Sequence, residues 1–263
     1  MRRRSTLLAS LSGLVVFGLL AAVVLTSPGW PTVKATFFDW SAAKDALPDV
    51  LKGFWLNVRL FLLAEPLIVV LGLAVAAARV STSPLLMPVR LIAVGYTDLF
   101  RGLPTILVVF LVCFGVPALD LQGVTTSLFW LALVALVLSY GAYVAEVFRA
   151  GMESVHPSQV ASATALGLSS AQTLRHVVVP QAVRRVLPPL LNDFVSLQKD
   201  TALVATVGLL DALGTASDIA NFTFNYTPYV VAAALFVALT VPLARLTDWM
   251  GRRAMDRERA GAR

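Results

Sequence analysis

The sequence predicts an all-α polytopic membrane protein with six transmembrane helices. Its 263 residues are 58% hydrophobic and 14% charged, and the mean hydropathy is +0.80. Because about one quarter of the residues in a soluble domain are charged, this composition excludes an ordinary soluble fold. Two further observations support the prediction: six apolar segments reach the length of roughly 20 residues that a spanning helix needs, and the basic residues are distributed one-sidedly between them.

The first apolar segment follows the basic start MRRRS and is either a cleaved signal peptide or a retained anchor. No clear A-x-A site precedes the SPGWP turn, and the run is long for a signal peptide, which favours a retained anchor. Each of the other five segments can satisfy its backbone hydrogen bonds as a helix in hydrocarbon. We predict the six spans at residues 7–26, 54–80, 87–116, 128–150, 187–210 and 229–250.

The Lys and Arg residues fall mainly on one of the two sides that these spans define. With a cytoplasmic N-terminus, sixteen of the 21 lie at the cytoplasmic side, four at the opposite side, and Lys199 within the fifth span. Cytoplasmic loops carry such an excess of basic residues, so we predict a multi-pass membrane protein with both termini in the cytoplasm. The net charge of +6 then needs no nucleic-acid partner, and we expect none.

The predicted spans divide the chain into three parts. Residues 1–52 form the anchor and a polar extracytoplasmic loop over about 26–53, and residues 53–251 form the transmembrane domain. Residues 252–263 are a charged cytoplasmic tail.

The sequence contains no pattern typical of an enzyme or a metal site. It has no Walker motif G-x-x-x-x-G-K-[ST], no H-E-x-x-H and no visible Ser-His-Asp arrangement. The single cysteine, Cys113, lies in an apolar run and is expected to be a small buried hydrophobic residue. His156 and His176 have no metal-ligand companions, so we expect no catalytic residue, metal or cofactor in this chain.

The longest predicted cytoplasmic loop, residues 151–186, has the pattern of two short helices joined by a tight turn. Pro157 interrupts the preceding helix, since proline disfavours the helical conformation in the residue before it, and Ser158 can cap a new helix over 159–166. Gly167 suits the left-handed position that ends such a helix.

A second helix of this loop is predicted from Ser169 and Gln172, which match a capping box, and it should stop at Pro180. The first helix carries mainly small side chains, which let another protein approach closely. From the pattern alone, it either docks in a groove of a partner protein or rests on lipid headgroups as an amphipathic helix.

The fifth predicted span contains Lys199 and Asp200, and ionisable residues are costly inside a bilayer. They belong to a polar stripe, which is either a translocation path for a charged solute or a structural ion pair that fixes helix packing. Glu65 in the second span is a further candidate, because the following proline frees a backbone carbonyl there. The other polar residues of the stripe are Asn192, Asp193, Ser196, Gln198 and Thr201.

The loop resembles the EAA loop of bacterial ABC importer permeases. The residues that carry this resemblance are Gln159, Ala163, Ala165-Leu166-Gly167 and Pro180-Gln181-Ala182. Three longer segments are similar to the polar amino acid branch of these permeases, and the resemblance covers about residues 53–251. The segments are FRGLPTILVVFLVCFGVP (100–117), AYVAEVFRAGMESV (142–155) and PQAVRRVLPPLLNDFVSLQKDTALV (180–204).

The resemblance implies a five-helix ABC importer core of type I with an added N-terminal span, in the cytoplasmic membrane of a bacterium. The implied function is an ATP-driven permease subunit that forms the pathway for a polar amino acid similar to glutamate, glutamine, arginine or histidine. The implied partners are an ATPase subunit dimer that binds ATP and Mg²⁺, a second permease subunit and an extracytoplasmic substrate-binding protein.

Two sets of residues acquire roles through this resemblance. The residues expected to couple the chain to the ATPase subunit are Ser158, Gln159, Ala161, Ser162, Ala163, Ala165, Leu166 and Gly167. Those expected to line the substrate pathway are Asn192, Ser196, Lys199, Asp200, Thr201 and Glu65. Glu146 and Arg149 are expected to brace the coupling loop, and the turn at 101–104 is expected to be structural.

Ala161 departs from the family pattern, which usually has glutamate there. If Ser158 is the cap, Ala161 is the third helical position, and the missing glutamate removes one arm of a capping box. This departure favours a heterodimer of unlike permeases over a homodimer. The alternatives to an importer subunit are a self-contained secondary transporter or channel with Lys199 and Asp200 as an ion relay, and a membrane enzyme or receptor, which is disfavoured.

Overall fold

The computed structural model describes residues 2–81 and 83–261, and these residues form helices and short connections without any strand. The all-α prediction is therefore confirmed. Short 3-10 turns lie at Pro84–Leu86 and Thr201–Val207, and a π-helical turn lies at Leu174–Val178. The α-helices are α1 (Arg2–Leu25), α2 (Trp30–Phe37), α3 (Trp40–Val80), α4 (Met87–Gly102), α5 (Thr105–Ala118), α6 (Leu128–Glu153), α7 (Pro157–Ala165), α8 (Ser170–Thr173), α9 (Val179–Asp200), α10 (Ala212–Thr223) and α11 (Thr227–Gly261).

Several of these helices are long and apolar enough to cross a membrane. Three segments meet this requirement of length and hydropathy individually: Trp30–Val80, Leu128–Glu153 and Thr227–Arg253. Two further pairs of helices, each bent at a short break, raise the number of candidate spans to as many as 5 if each pair is one span. The apolar part of α1 at Ser12–Leu25 is shorter than a full span, so the sixth span stays a prediction.

The third predicted span is broken, which corrects the prediction of one continuous helix over residues 87–116. Helices α4 and α5 meet at a bend of 108°. The break lies at Leu103, whose backbone is extended because the following Pro104 disfavours helical geometry. Residues 101–104 therefore lie at the bend between α4 and α5.

The predicted extracytoplasmic loop at 26–53 is mostly helical. It contains α2 and the first turns of α3, which runs without interruption across the predicted boundary at residue 53. Asp39 starts α3 as its N-cap, where its Oδ1 accepts hydrogen bonds from the backbone N–H groups of Ser41 at 2.8 Å and Ala42 at 3.3 Å. This capping aspartate allows helix to begin well before the apolar run.

The core of the bundle is the contact between α3 and α6. Small buried side chains on α6, such as Ala135 and Ala142, let α3 approach closely, and Leu60 and Ile68 of α3 are fully buried there. A Cβ on Gly72 would lie 2.5 Å from Cγ1 of Val144, so glycine is required at this crossing. Cys113 is buried in the same core, as the sequence predicts.

The bundle has two ends, which position the candidate sites. The end where α6 leads into α7 and returns into α9 is called the α7 end. The opposite end, where α9 leads into α10 and α3 begins, is called the α10 end. A second small core forms at the α10 end from Ala46, Val50, Ala212, Ala216 and Ala232.

Candidate functional site

Helix α7 begins two residues earlier than predicted, because His156 and not Ser158 is its N-cap. Nδ1 of His156 accepts a hydrogen bond from the backbone N–H of Ser158 at 3.2 Å, and Pro157 occupies the first helical position, which suits its fixed φ. Gln159 is consequently the third helical residue and Ala161 the fifth. The predicted role of Ala161 as a missing arm of a capping box is therefore wrong.

The turn after α7 and the start of α8 follow the prediction. Gly167 has a φ of +83°, and the N–H of Leu168 donates to the carbonyl of Ala163 at 3.1 Å, which closes the helix end. The capping box is confirmed, since the N–H of Ser169 donates to Oε1 of Gln172 at 2.9 Å and the N–H of Gln172 donates to Oγ of Ser169 at 3.3 Å.

The second helix of this loop does not stop at Pro180, which corrects that prediction. After α8 the chain widens into the π turn and continues directly into α9. Pro180 lies in the first turn of α9, a position that suits its fixed φ. The loop and α9 are thus one connected helical path.

Most side chains of α7 are exposed. Of the residues predicted to couple to a partner, only Ala163 is buried, and Leu166 at the turn is 81% exposed although it is a large apolar residue. A groove of ≈380 Å³ runs beside α7 and is lined by Ser158, Gln159, Ser162, Ala163, Leu166, Leu168, Val177 and Gln181. An exposed leucine beside small side chains and a groove is a surface that another protein can contact closely.

Glu146 holds the helix ends together at the α7 end. Its Oε2 lies 2.7 Å from Nη1 of Arg79 on α3, and its Oε1 lies 2.5 Å from Nη2 of Arg149. Arg101 on α4 is more distant, with its Nη1 3.7 Å from the same carboxylate. Arg149 also pairs with Glu153. These ion pairs agree with a bracing role for Glu146 and Arg149.

Helices α6 and α9 touch just before α7 begins. A Cβ on Gly151 would lie 2.0 Å from Cγ2 of Val186, so only glycine allows this contact. The guanidinium of Arg185, the residue next to Val186 on α9, donates to the backbone carbonyl of Ser154. Both contacts join the segment that leads into α7 to α9.

The polar residues of α9 do not form one stripe but face different sides of the helix. Asn192, Ser196 and Lys199 follow each other at helical spacing on one face, and Asn192 and Lys199 are exposed. Asn192 lines a small cavity of ≈180 Å³ beside Asp248 and Arg252 of α11. The side chain of Lys199 is exposed on this face of the helix.

Asp200 points to a different neighbour. Its Oδ2 accepts a hydrogen bond from the hydroxyl of Tyr140 on α6 at 2.8 Å. In the described part of the chain no ion pair joins Lys199 to Asp200, so the structural ion pair considered from the sequence is absent there.

Thr201 belongs to a buried hydrogen-bond network at the α10 end. Nδ2 of Asn57 donates to Oδ2 of Asp211 at 2.8 Å and to Oγ1 of Thr201 at 3.3 Å, while Oδ1 of Asn57 accepts from the N–H of Ala212 at 3.1 Å. The other oxygen of Asp211 caps α10 by accepting from the N–H of Gly214 at 2.8 Å.

Two members of this buried polar system, Asn57 and Asp211, were not identified from the sequence. Asn57 and Asp211 lie outside the predicted stripe, and Gln198, which was noted there, accepts at its Oε1 from the hydroxyl of Thr240 on α11 at 2.5 Å. An aspartate followed by the small residues ALGTAS is a helix-start signal that could have identified Asp211. No comparable sequence pattern surrounds Asn57.

Glu65 is half-buried on α3 and faces α9. One turn before it, the ring of Phe61 meets the ring of Phe194 edge to face at 4.6 Å. Asp193 is close enough to Glu65 for the two carboxylates to interact electrostatically. Oδ2 of Asp193 is buried and has no hydrogen-bond partner.

A cavity of ≈460 Å³ at the α7 end lies between α4, α6 and α9. Its polar and charged wall is formed by Arg101, Tyr143, Glu146, Ser154, Arg185 and Asp193. Within the described ranges no three His, Cys, Asp or Glu side chains are grouped as metal ligands would be. The cavity therefore offers opposite charges to an organic ion.

Comparisons with known proteins give consistent results. A family model described as "Binding-protein-dependent transport system inner membrane component" matches residues 68–256. The arginine transport system permease protein ArtQ of Bacillus subtilis (strain 168) is 32% identical over 206 residues, which are 78% of this chain and 92% of that protein. The L-cystine transport system permease protein TcyL of the same organism is 33% identical over 227 residues, 84% of this chain and 91% of that protein.

Solved structures show the same likeness. A crystal structure of an amino acid ABC transporter with histidines superimposes with a TM-score of 0.74 at 30% sequence identity. The match covers 82% of this chain and 98% of that chain. The described helices therefore have the arrangement of a known transporter subunit.

Proposed function

Because the chain belongs to the family of binding-protein-dependent transport system inner membrane components, we propose that it is a permease subunit of an ATP-driven importer for a polar amino acid. The relatives named for arginine and cystine transport support an amino acid as the solute. A bacterial cytoplasmic membrane is the corresponding location, with both termini and the α7 end in the cytoplasm. Residues 1–52 are the anchor and connecting segment, 53–251 the permease domain and 252–263 the tail.

The observation that carries the proposal is the exposed helix α7 and its rigid connections. Its small side chains and exposed Leu166 suit a groove of a cytoplasmic ATPase subunit, which would bind ATP and Mg²⁺. Gly151 and Arg185 connect the start of this segment to α9. Closure of an ATPase dimer would then move α6 and α9 as rigid bodies, a known form of conformational switching.

The proposed pathway lies along α9. Asn192, Ser196 and Lys199 form its accessible polar face, whereas Asp200 and Thr201 stabilise that helix through Tyr140 and Asn57. Glu65 contributes a carboxylate from α3, beside Asp193 of α9. Opposite charges on this path can meet the ammonium and carboxylate groups of an amino acid.

The proposed partners are the ATPase subunit dimer, an extracytoplasmic binding protein and a second permease. An unlike second permease is favoured, because Ala161 is exposed on α7 and provides no carboxylate to the ATPase surface. A self-contained carrier with an ion relay is not proposed, because Asp200 is bound to Tyr140 while Lys199 is exposed.

Reconstitution with the ATPase subunits and binding protein in proteoliposomes tests the role of α7. Replacing Leu166 by glutamine should lower binding-protein-stimulated ATP hydrolysis and uptake about ten-fold, the effect of losing a central interface contact. The matched control is Leu85→Gln, since Leu85 is 90% exposed but lies outside α7, and its activity should remain within about two-fold. Equal effects of both substitutions would refute the docking role.

A further inference from the structure

We propose that helix α11 binds, near the α7 end of the bundle, the headgroup of a phospholipid with a net negative charge. The site is an exposed surface formed by Arg245, Trp249, Arg252 and Arg253, called here the α11 basic face. Arg245, Trp249 and Arg253 follow each other at intervals of four residues, and Arg252 follows Arg245 by seven, so all four lie on one side of the helix.

The surface of α11 that leads to this face is suited to lipid. Only 11% of the apolar stretch of Thr227–Arg253 is buried by the rest of the chain, against 61% of that in Leu128–Glu153. Val237 and Val241 are exposed and precede Arg245 at intervals of four residues on the same side of α11. The α11 basic face therefore continues an apolar surface that hydrocarbon can cover, and it lies where that surface ends.

The three guanidinium groups of the α11 basic face are free to bind an anion. Within residues 2–81 and 83–261 none of them forms an ion pair, whereas Arg79 and Arg149 are both paired with Glu146. Asp248 is the one acidic residue of the segment 245–253, and it lines the ≈180 Å³ cavity toward α9. Three cations beside one acid leave a positive surface, which is complementary to a phosphate group.

Trp249 gives this face the character of a membrane–water interface. It is 46% exposed, and Cζ of Arg253 lies 4.1 Å from the centroid of its ring, which is a cation–π contact. Tryptophan at the end of a spanning helix is typical of the headgroup level. A guanidinium stacked on a ring keeps N–H donors at its edge, and these suit a bidentate contact with phosphate.

A phospholipid suits the α11 basic face better than a protein subunit does. A second copy of the chain seated on it by two-fold symmetry would bring its own arginines to the same level, where like charges repel. The contact with the ATPase subunit is proposed for α7, which carries small side chains and an exposed leucine instead of a basic cluster. An anionic headgroup neutralises the arginines, and its attraction grows with each basic residue near the membrane surface.

Fluorescence quenching of Trp249 tests the proposal on the full-length permease reconstituted in phosphatidylcholine vesicles at low ionic strength. The probes are phosphatidylglycerol and phosphatidylcholine, each brominated on its acyl chains. The contribution of Trp249 is the difference in quenching between a protein and its Trp249→Phe counterpart. Half-maximal quenching should need at least about ten-fold less phosphatidylglycerol than phosphatidylcholine, because only the former has a net charge that the arginines attract. Equal quenching by the two lipids would overturn the proposal.

Substitutions then test whether the charge of the α11 basic face causes the preference. Replacing its three arginines together by glutamine should lower the preference for phosphatidylglycerol to less than about two-fold, whereas replacing them by lysine should keep it within about three-fold of the original value. The matched control removes the same charge at the α10 end, by replacement of the exposed Lys34, Lys44 and Lys52 with glutamine, and should change the preference less than about two-fold. Circular dichroism checks that each variant keeps its helices.

The results distinguish the possible occupants of this face. If neither brominated lipid quenches Trp249, a second copy of the chain covers the face and the proposal fails. It also fails if the glutamine variant keeps the preference or the lysine variant loses it. Because the assay needs no solute, ATP or partner subunit, absence of ATP-driven uptake in the reconstituted complex would refute the proposed function alone.

Discussion

The two ends of the helical bundle are held together by different chemistry. At the α7 end, partly exposed arginines share one carboxylate, and α6 meets α9 through a side chain at Gly151. At the α10 end, Asn57 and Asp211 are fully buried, and Gly53 of α3 lies against the backbone of Asp211. Ion pairs with several possible partners can exchange as helices move, whereas a buried network with one solution cannot. The difference indicates a movable α7 end and a fixed α10 end.

The largest expected effect is loss of stability when the buried network is broken. Asp211→Ala leaves Asn57 without its 2.8 Å acceptor and removes the cap of α10, so it should lower the free energy of unfolding by about 3 kcal/mol. Chemical unfolding in detergent measures this change. Asp218→Ala, on the exposed side of the same helix, is the control and should cost less than about 0.5 kcal/mol. A similar loss of unfolding free energy in both variants would show that the buried network does not hold the α10 end together.

The two close glycine contacts offer a sharper comparison. At Gly53 an added Cβ would lie 2.5 Å from backbone atoms of Asp211, while at Gly151 it would meet only the side chain of Val186 at 2.0 Å and the more distant carbonyl of Ala182 at 3.4 Å. Each Gly→Ala substitution should cost about 2 kcal/mol of stability by overpacking.

Rescue distinguishes the two glycine contacts. Val186→Ala should restore most of the stability and uptake lost in Gly151→Ala, because it removes the clashing methyl groups. No shortening of a side chain can relieve Gly53→Ala, because its clash is with backbone. Failure of the Val186→Ala rescue, measured by unfolding and by uptake, would contradict the contact between α6 and α9.

A smaller effect is expected from the ion pairs of the α7 end. Arg79→Gln leaves Glu146 paired with Arg149, so the free energy of unfolding should fall by about 1 kcal/mol or less. The loss should shrink in high salt, because these side chains are partly exposed and salt screens such pairs. A salt-independent loss of several kcal/mol would mean that the α7 end is as rigid as the α10 end.

The smallest effect is expected from Ala161→Glu. Because this residue is the fifth of α7, a glutamate there makes no capping box, and stability should change by less than about 0.5 kcal/mol. Its carboxylate would instead face the ATPase subunit, and binding-protein-stimulated ATP hydrolysis should rise if Ala161 marks the weaker half of an unlike pair. Unchanged ATP hydrolysis would count against an unlike pair.

Local signals in the sequence predict the elements of the α7 end well. Gly167 and the pair of Ser169 and Gln172 have the predicted geometry, because turn and capping chemistry depends on residues close in the chain. The cap of α7 was placed two residues late, since a histidine imidazole accepted the hydrogen bond that a serine was expected to accept. The coupling roles of these residues stay predictions.

The α10 end and the cavity depend on contacts that the sequence does not specify locally. Asn57 and Asp211 are 154 residues apart, and no pattern near Asn57 indicates its partner. The polar residues of α9 were predicted as one stripe, but helical rotation places Asp193 and Asp200 toward other neighbours than Asn192 and Lys199. Arg101 and Arg185 come together with Asp193 only through the packing of α4 against α6 and α9.

The central claim is that this chain moves its solute only when a separate ATPase subunit hydrolyses ATP. It is tested most directly by uptake of radiolabelled L-arginine and L-glutamine into proteoliposomes that contain the permease complex, the binding protein and either an active or a hydrolysis-deficient ATPase subunit. We predict accumulation with the active subunit and background uptake with the deficient one. Accumulation that survives with the hydrolysis-deficient subunit would contradict the account.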